Sequence, residues 1–351
     1  MSHSTFSNST SYTETNHFSE TQMLTMTYQT NEGWSLPEIK PYAPITVSPS
    51  AQCLHYGQTV FEDIKVFNLN EDIHIFQPLE HLNKFNRSLR RIEMPEVNPD
   101  KMLSYLSTLL EENTSFSANQ TISCAQLRLF MFASESKLGV SKSDTYECIA
   151  FLSPLATNHI TKELNDMQVL VEEKLIKSIS GGAGTSQFGG NYASTFTAQR
   201  KANQLGFDQV LWLDGKYKHY VEEIGNMNVF FVISDKIITP QLNDSILPGV
   251  TRQSIILLAK QLGYSIEERF ISIDEVISES YNGHLTEIFC TDTLHSITHV
   301  NRLKYKEENI TLHNTTIAQH FLNTYVDIQL TNEVDENQWN YRLTNGTTVQ
   351  L

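Results

Sequence analysis

The sequence has few cysteines, few positive charges and no long apolar run. Its four cysteines show no C-x-x-C spacing, which argues against a zinc site or a disulfide framework and favours reduced thiols. Lys and Arg number 25 against 40 Asp and Glu, and the formal net charge of -15 argues against a nucleic-acid partner and an anionic membrane surface. No segment approaches the ~18 apolar residues that predict a membrane span.

The length and composition are those of a globular protein with room for more than one domain. The chain has 351 residues, of which 40% are apolar and 19% charged. Residues 1–22 are rich in Ser and Thr and lack both the basic region and the apolar core of a secretory signal. We therefore expect a disordered N-terminal tail and a cytoplasmic protein.

One stretch, Ser178–Val232, organises the rest of the chain. It begins with a glycine-rich loop, whose glycines allow positive φ and close approach to a ligand. A helical pattern follows from Tyr192 to Leu205 and stops at Gly206. Two apolar strands are then predicted, Val210–Leu213 and Met227–Val232, with a turn and Glu223 between them.

These residues resemble the class IV pyridoxal-phosphate (PLP) enzymes, specifically the branched-chain amino acid aminotransferases. Three motifs carry the resemblance here: GGNY at Gly189–Tyr192, QVLWLDG at Gln209–Gly215, and YVEEIGNMNVFFV at Tyr220–Val232. Matches such as LHYGQTVFEDIK at Leu54–Lys65 and LTEIF at Leu285–Phe289 extend it from about Met26 to Trp339. The resemblance covers nearly the whole chain.

The resemblance implies a two-domain α/β fold, of the fold-type IV or D-amino acid aminotransferase-like kind, with a cleft between the domains. The expected division is a tail at 1–22, a small domain at 23–155, a linker at 156–166 and a large domain at 167–351. It also implies a homodimer, because family pockets are completed at a subunit interface. A small molecule is the expected ligand, and its identity is not given by the sequence.

The family pattern is broken at the residue that matters most. Two positions before GGNY the family has the lysine that holds PLP as a Schiff base, and this chain has Gln187. The chain departs from the family at seven other positions. Lys84 stands for an arginine, Asp63 and Asp292 for glycines, Gln126 for a tyrosine, Asn226 for a threonine, and Leu294 and His295 for two alanines.

The resemblance assigns candidate roles by position. The catalytic positions are Gln187 and Tyr192. The cofactor positions are Lys84, Glu223, Asn226, Val250, Thr251 and Thr293. The substrate-pocket positions are Tyr56, Asp63, Arg128, Asp292, Leu294 and His295. Asp292, His295 and His299 are expected to form a new polar group in the pocket, and no recognised metal motif is present.

Three interpretations of Gln187 follow: an engineered change, an alignment slip in which Lys174, Lys177 or Lys201 serves instead, or true divergence. Divergence accounts for the several departures together. Glutamine has no basic nitrogen, so we expect no aldimine, and either no cofactor or PLP or pyridoxamine phosphate (PMP) held loosely without a covalent bond. Three functions stay open: a pseudoenzyme or repurposed ligand pocket, an enzyme of other chemistry using Asp63, Lys84, Asp292 and His295, and a true aminotransferase.

Overall fold

The computed structural model describes residues 21–70, 72–113, 122–331, 335–344 and 347–350. The predicted tail lies outside these residues except for its last two. The first sheet is antiparallel throughout, in the order β18-β17-β5-β4-β6-β7-β1-β2, with β3 also on β1. Its strands are β1 (Gln22–Gln29), β2 (Gly33–Trp34), β3 (Glu38–Pro41), β4 (Thr59–Leu69), β5 (Asp72–Phe76), β6 (Ile122–Ala133), β7 (Thr145–Pro154), β17 (Asn340–Thr344) and β18 (Thr347–Gln350).

The second sheet mixes parallel and antiparallel pairs, in the order β10-β9-β8-β15-β14-β11-β12-β13, with β16 on β15. Its strands are β8 (Asn165–Val171), β9 (Gln209–Leu213), β10 (Val221–Ile224), β11 (Met227–Ile233), β12 (Lys236–Pro240), β13 (Ser265–Arg269), β14 (Leu285–Asp292), β15 (Ser296–Tyr305) and β16 (Glu308–Thr311). Because β10 pairs with both β9 and β11, six strands close into a ring.

Helices cover the sheets. They are α1 (Gln52–Tyr56), α2 (Pro78–Arg91), α3 (Pro99–Glu112), α4 (Gly190–Ala193), α5 (Phe196–Gln204), α6 (Val250–Gln261), α7 (Ile273–Tyr281) and α8 (Thr316–Gln329), with a 3-10 helix at Thr157–Ile160. None of these described helices is long and apolar enough to cross a membrane. The predicted helix at Tyr192–Leu205 is interrupted, because the chain turns at Ser194 and Thr195 between α4 and α5.

Strand β4 shows how alternation divides its residues between two environments. Val60, Ile64 and Val66 belong to the apolar core that α2 and α3 cover. Phe67, on the opposite face, belongs to another core that also contains Phe230 of β11 and thus joins the two sheets. Since successive side chains of a strand point to opposite faces, the odd-numbered residues of β4 face the second sheet.

The last two strands return to the beginning of the fold. Residues Asn340–Arg342 of β17 pair with β5, and β18 pairs with β17. The C-terminal segment is therefore part of the first sheet, although it follows the elements of the second in sequence. The division near residues 155–167 stays a prediction.

Candidate functional site

The glycine-rich loop carries Gln187 to the start of β4. The Gln187 N–H donates to Ser88 Oγ of α2 at 2.9 Å, and its carbonyl accepts from the Phe61 N–H at 3.1 Å. A Cβ on Gly184 would lie 2.2 Å from Ser178 Oγ and from the Ser245 carbonyl, so only glycine allows this packing. The loop is fixed between α2, β4 and the approach to α6.

The side chain of Gln187 is buried but makes no hydrogen bond to another described residue. The residue is 9% exposed, and its Oε1 is buried without a partner. A buried amide normally finds partners, because an unmade hydrogen bond in the interior costs about 1–3 kcal/mol. The position assigned to the family lysine therefore presents a carboxamide with a buried, unpartnered oxygen, and no amine.

Lys84 is buried in an ion pair. Its Nζ lies 2.9 Å from Glu62 Oε1, and His81 Nδ1 lies 2.8 Å from the same oxygen. Burial alone would raise the pKa of Glu62, but the Lys84 charge and the His81 ring hold it below its ordinary value. The cation at the predicted phosphate position is thus already matched by a carboxylate.

Glu223 is likewise paired within the protein. Lys177 Nζ lies 2.7 Å from Glu223 Oε2, and both side chains are almost fully buried. The other oxygen, Oε1, accepts from the Leu247 N–H at 3.3 Å, just before α6. The sequence did not predict this contact, because a long side chain brings the Lys177 amine to Glu223 from outside the glycine-rich loop.

Two departures from the family pattern bind each other on the first sheet. Asp63 Oδ1 accepts from Gln126 Nε2 at 2.6 Å and pairs with Arg128 Nε at 2.6 Å. Burial raises the pKa of Asp63 despite the opposing Arg128 charge. Arg128 also lies over the Phe61 ring, 4.6 Å from its centroid. Asp63, Gln126 and Arg128 form one connected group.

A second pair of departures forms the turn between β14 and β15. Asp292 Oδ1 accepts from the His295 N–H at 2.6 Å, and Asp292 Oδ2 lies 2.9 Å from His295 Nδ1. The Asp292 carboxylate raises the pKa of His295 above its ordinary value. Thr251 Oγ1, at the start of α6, donates to the Asp292 carbonyl at 3.0 Å. Thr293 and Leu294 complete the turn and are partly exposed.

The neighbours of this turn differ from those expected. Lys65 Nζ, from the odd-numbered face of β4, donates to Ser296 Oγ at 3.1 Å, and the His159 ring lies 5.2 Å from the His295 ring. His299 is not part of the group, because it faces Asp166 at 2.8 Å. Within the described residues, no three His, Cys, Asp or Glu side chains converge as metal ligands would.

Tyr192 lies close to the group formed by Asp63, Gln126 and Arg128. Its ring is 5.0 Å from that of Phe61, and burial, followed by the Glu223 and Asp63 charges, raises its pKa. Tyr56 and Asn226 lie elsewhere. The Tyr56 hydroxyl accepts from the Gly139 N–H at 2.8 Å, and Asn226 is exposed at the tip of the β10–β11 hairpin.

Glu222 is a buried acid that motif reasoning passed over. A bulge in β10 between Val221 and Glu223 places it beside Ser245, whose hydroxyl donates to Glu222 Oε1. Burial raises the pKa of Glu222 to about 7, and the neighbouring Glu223 charge adds to the shift. Glu222 has no pairing partner on β9 because of this bulge, and the bulge can be seen only in the register of the two strands.

These residues fit one end of a pyridoxal phosphate better than the other. The start of α6 has Gly249 before it, no side-chain cap, and Val250 and Thr251 in its first turn, so its N–H groups suit a phosphate. At the aldehyde end the unpaired Gln187 amide offers no amine, and Glu223 is held by Lys177. The donor set therefore does not fit a covalently held cofactor.

Comparison with known proteins shows the family of the chain. The family model described as amino-transferase class IV matches residues 59–303. A probable branched-chain-amino-acid aminotransferase of Staphylococcus aureus (strain MRSA252) is 41% identical over 320 residues, covering 90% of this chain and 89% of that protein.

Solved structures share the fold. The branched-chain aminotransferase from Thermoproteus uzoniensis with norvaline has a TM-score of 0.75 at 19% identity, covering 91% of this chain and 99% of that one. The T.th. branched-chain amino acid aminotransferase with pyridoxamine 5'-phosphate has a TM-score of 0.72 at 21% identity, covering 90% and 97%.

The chain therefore belongs to the class IV aminotransferases. Within that class it is branched-chain-aminotransferase-like, and the predicted α/β fold-type IV architecture is confirmed.

Proposed function

We propose that this protein is a branched-chain-aminotransferase-like pseudoenzyme that binds a small ligand in the cleft without a covalent bond at position 187. Transamination uses the family lysine twice, to hold the cofactor and to move a proton, and an amide does neither. PMP is present in the structure of the T.th. enzyme. For this chain we expect PLP or PMP to be absent or held loosely and non-covalently.

One observation carries the proposal: the departures from the family pattern bind each other. Asp63 accepts from Gln126 at 2.6 Å, and Asp292 pairs with His295 at 2.9 Å. Each new carboxylate has a new partner, as expected when buried polar groups must be satisfied. Random loss of function would leave such groups unmatched, so the pattern favours a pocket adapted to another use.

An enzyme of other chemistry is the second candidate, and the geometry favours it less. It would use Asp63, Lys84, Asp292 and His295 together. Lys84 binds Glu62 and Asp63 binds Arg128, while Asp292 and His295 pair with each other. The four side chains belong to three separate ion pairs and do not meet at one reacting atom.

The test is to look for an imine directly. Purified protein would be mixed with PLP, its visible spectrum recorded, and the mixture reduced with borohydride for peptide mapping. We expect no aldimine absorbance and no reduced adduct at any lysine. Incubation with leucine, 2-oxoglutarate and excess PLP should give no glutamate above background, because loss of such a group lowers turnover on the order of 10⁶-fold.

The variant Gln187→Lys is the matched control. It should form the aldimine, which shows that the assay detects one, but it should not recover leucine transamination, because Asp292 still fills the turn. An adduct on Lys177 in the unaltered protein, or steady turnover after repurification, would overturn the proposal. Recovery of turnover in Gln187→Lys would show that the other departures have no effect on activity.

A further inference from the structure

Two glycine-to-aspartate departures place carboxylates against groups that could receive an anion. Asp63 lies 2.6 Å from Arg128 Nε, so the guanidinium charge is already matched. Asp292 Oδ1 lies 2.6 Å from the His295 N–H, so a backbone donor of the β14–β15 turn is already used. In effect the protein supplies its own carboxylate at both places.

Two further buried cations of the candidate site, Lys84 and Lys177, are also matched by carboxylates. Lys84 is paired with Glu62 at 2.9 Å, and Lys177 with Glu223 at 2.7 Å. All four side chains are at most 8% exposed. A ligand carboxylate would therefore add a negative charge to a partly dry region beside Asp63 or Asp292, which is unfavourable at low dielectric.

Gln187 also has an unpaired polar atom. Its amide has an NH2 donor group and an acceptor, and the acceptor Oε1 is buried without a partner among the described residues, as Glu62 Oε2 and Ser186 Oγ also are. The chemical group that satisfies both at once is another amide, whose N–H and C=O can face the Gln187 side chain. Phe61, whose N–H donates to the Gln187 carbonyl, and Tyr192 have rings 5.0 Å apart and offer an apolar surface close to the Gln187 backbone.

We propose that the cleft selects an uncharged ligand with a carboxamide-like donor–acceptor pair, recognised by Gln187, and rejects ligands with a free carboxylate. This inference rests on the proposed function. It assigns the substrate class by the pairing of charges within the site. The contrast is with the T. uzoniensis enzyme, whose structure contains norvaline, an amino acid with a free carboxylate.

Three probes with the same branched chain test the selection: 4-methylpentanamide, 4-methylpentanoate and 4-methylpentan-1-amine, titrated calorimetrically into the full-length protein. The amide should bind at least about tenfold more tightly than the acid or the amine, a difference of about 1.4 kcal/mol. Equal or tighter binding of the acid would overturn the inference, as would absence of amide binding at the solubility limit.

Two variants separate the roles of the residues. Gln187→Met has a similar shape without a polar group, and it should lose about tenfold in amide affinity while leaving the weak acid affinity unchanged. Asp292→Gly should gain about tenfold for the acid by freeing the turn. Asp292→Asn, which keeps an acceptor for the His295 N–H, should gain less, and it serves as the second variant if Asp292→Gly unfolds.

The outcomes distinguish this inference from the proposed function. Retained amide affinity in Gln187→Met overturns recognition by Gln187, yet leaves the absence of an aldimine intact. An aldimine in the unaltered protein overturns the proposed function whatever the amide titration shows. Binding of the acid that is unchanged in Asp292→Gly overturns the role of Asp292 alone.

Discussion

The start of α6 and the β14–β15 turn are neighbours, but they differ in whether their N–H groups are free to bind an anion. They are joined by one hydrogen bond, from Thr251 Oγ1 to the Asp292 carbonyl. The helix start has glycine as its N-cap and no side-chain cap, so its N–H groups stay available. The turn has its N–H occupied by the carboxylate of Asp292.

A binding site can thus be changed without a change in its framework. A helix N-terminus binds through backbone groups, which persist whatever the side chains are. A turn can be filled by one new side chain, and here Asp292 does so. We therefore expect mutations at the filled positions to have large effects and ligands at the open helix end to have small ones.

The largest effect is expected for Lys177→Met, which removes the cation that is paired with Glu223. It leaves Glu223 buried without its ion-pair partner, and breaking a buried pair in this way costs about 3–5 kcal/mol. Urea unfolding followed by circular dichroism gives the change in free energy of unfolding. Lys236→Met is the matched control, because Lys236 also lies 2.7 Å from its glutamate, Glu267, but at the exposed surface.

The surface pair should contribute only about 0–1 kcal/mol. Similar losses in the two variants would mean that burial does not distinguish the pairs. The Lys177–Glu223 contact would then not be a filled position of the site.

A smaller loss in the free energy of unfolding is expected for Gly184→Ala, in the glycine-rich loop. The new Cβ would meet Ser178 and Ser245, the residue that bonds Glu222, at 2.2 Å. Such overpacking typically costs about 1–3 kcal/mol. Gly206→Ala is the control: its φ is +81°, but nothing lies within 4 Å of a Cβ there. Its cost should be near 1 kcal/mol, in the same unfolding experiment. A loop tolerant of Gly184→Ala would refute the tight packing.

The N-terminus of α6 should bind PMP only weakly. The helix N-terminus and Thr251 suit its phosphate, but Lys84 is engaged by Glu62 and Glu223 by Lys177. We expect calorimetric dissociation constants from high micromolar to millimolar, equivalent to about 4–6 kcal/mol. Submicromolar binding would show that the retained contacts are adapted to the cofactor, and the contrast between open and filled positions would disappear.

The sequence was sufficient for the framework because the motifs are long and local. Strands β9 and β11 were predicted to within one residue at each end, since apolar runs and the turn residues that bound them act over short distances. The position of Gln187 also followed from four adjacent letters, GGNY. The break between α4 and α5 was missed because the helical pattern continues through it.

The pairings could not be predicted, because they join residues far apart in the chain. Lys177 and Glu223 are 46 positions apart, and Gln126 and Asp63 are 63 apart. The sequence also grouped His299 with Asp292 by proximity in number, yet on β15 it faces Asp166 across the strand pairing with β8. Register and sheet order decide such contacts, and a single sequence contains neither.

The smallest effect is expected from the pH dependence of the filled turn. Asp292 raises the pKa of His295 above 6.5, whereas burial and the Lys65 charge act against it. A raised folded-state pKa means that the stabilisation is fully present below the unfolded pKa and is lost as pH rises through the folded one. The His159 ring beside it has its pKa lowered, chiefly by burial, and titrates with the opposite sign.

The measurement is the free energy of unfolding of the unaltered protein and of His295→Asn between pH 6 and pH 9. The advantage of the unaltered protein should shrink as pH rises above about 6.5, by a few tenths of a kcal/mol, because the His295 side chain is 33% exposed and solvent screens the pair. His159→Asn should show no such decline. An advantage of His295 that stays constant or grows with pH would mean that the Asp292–His295 contact is a neutral hydrogen bond, and the turn would then be filled by shape rather than by charge.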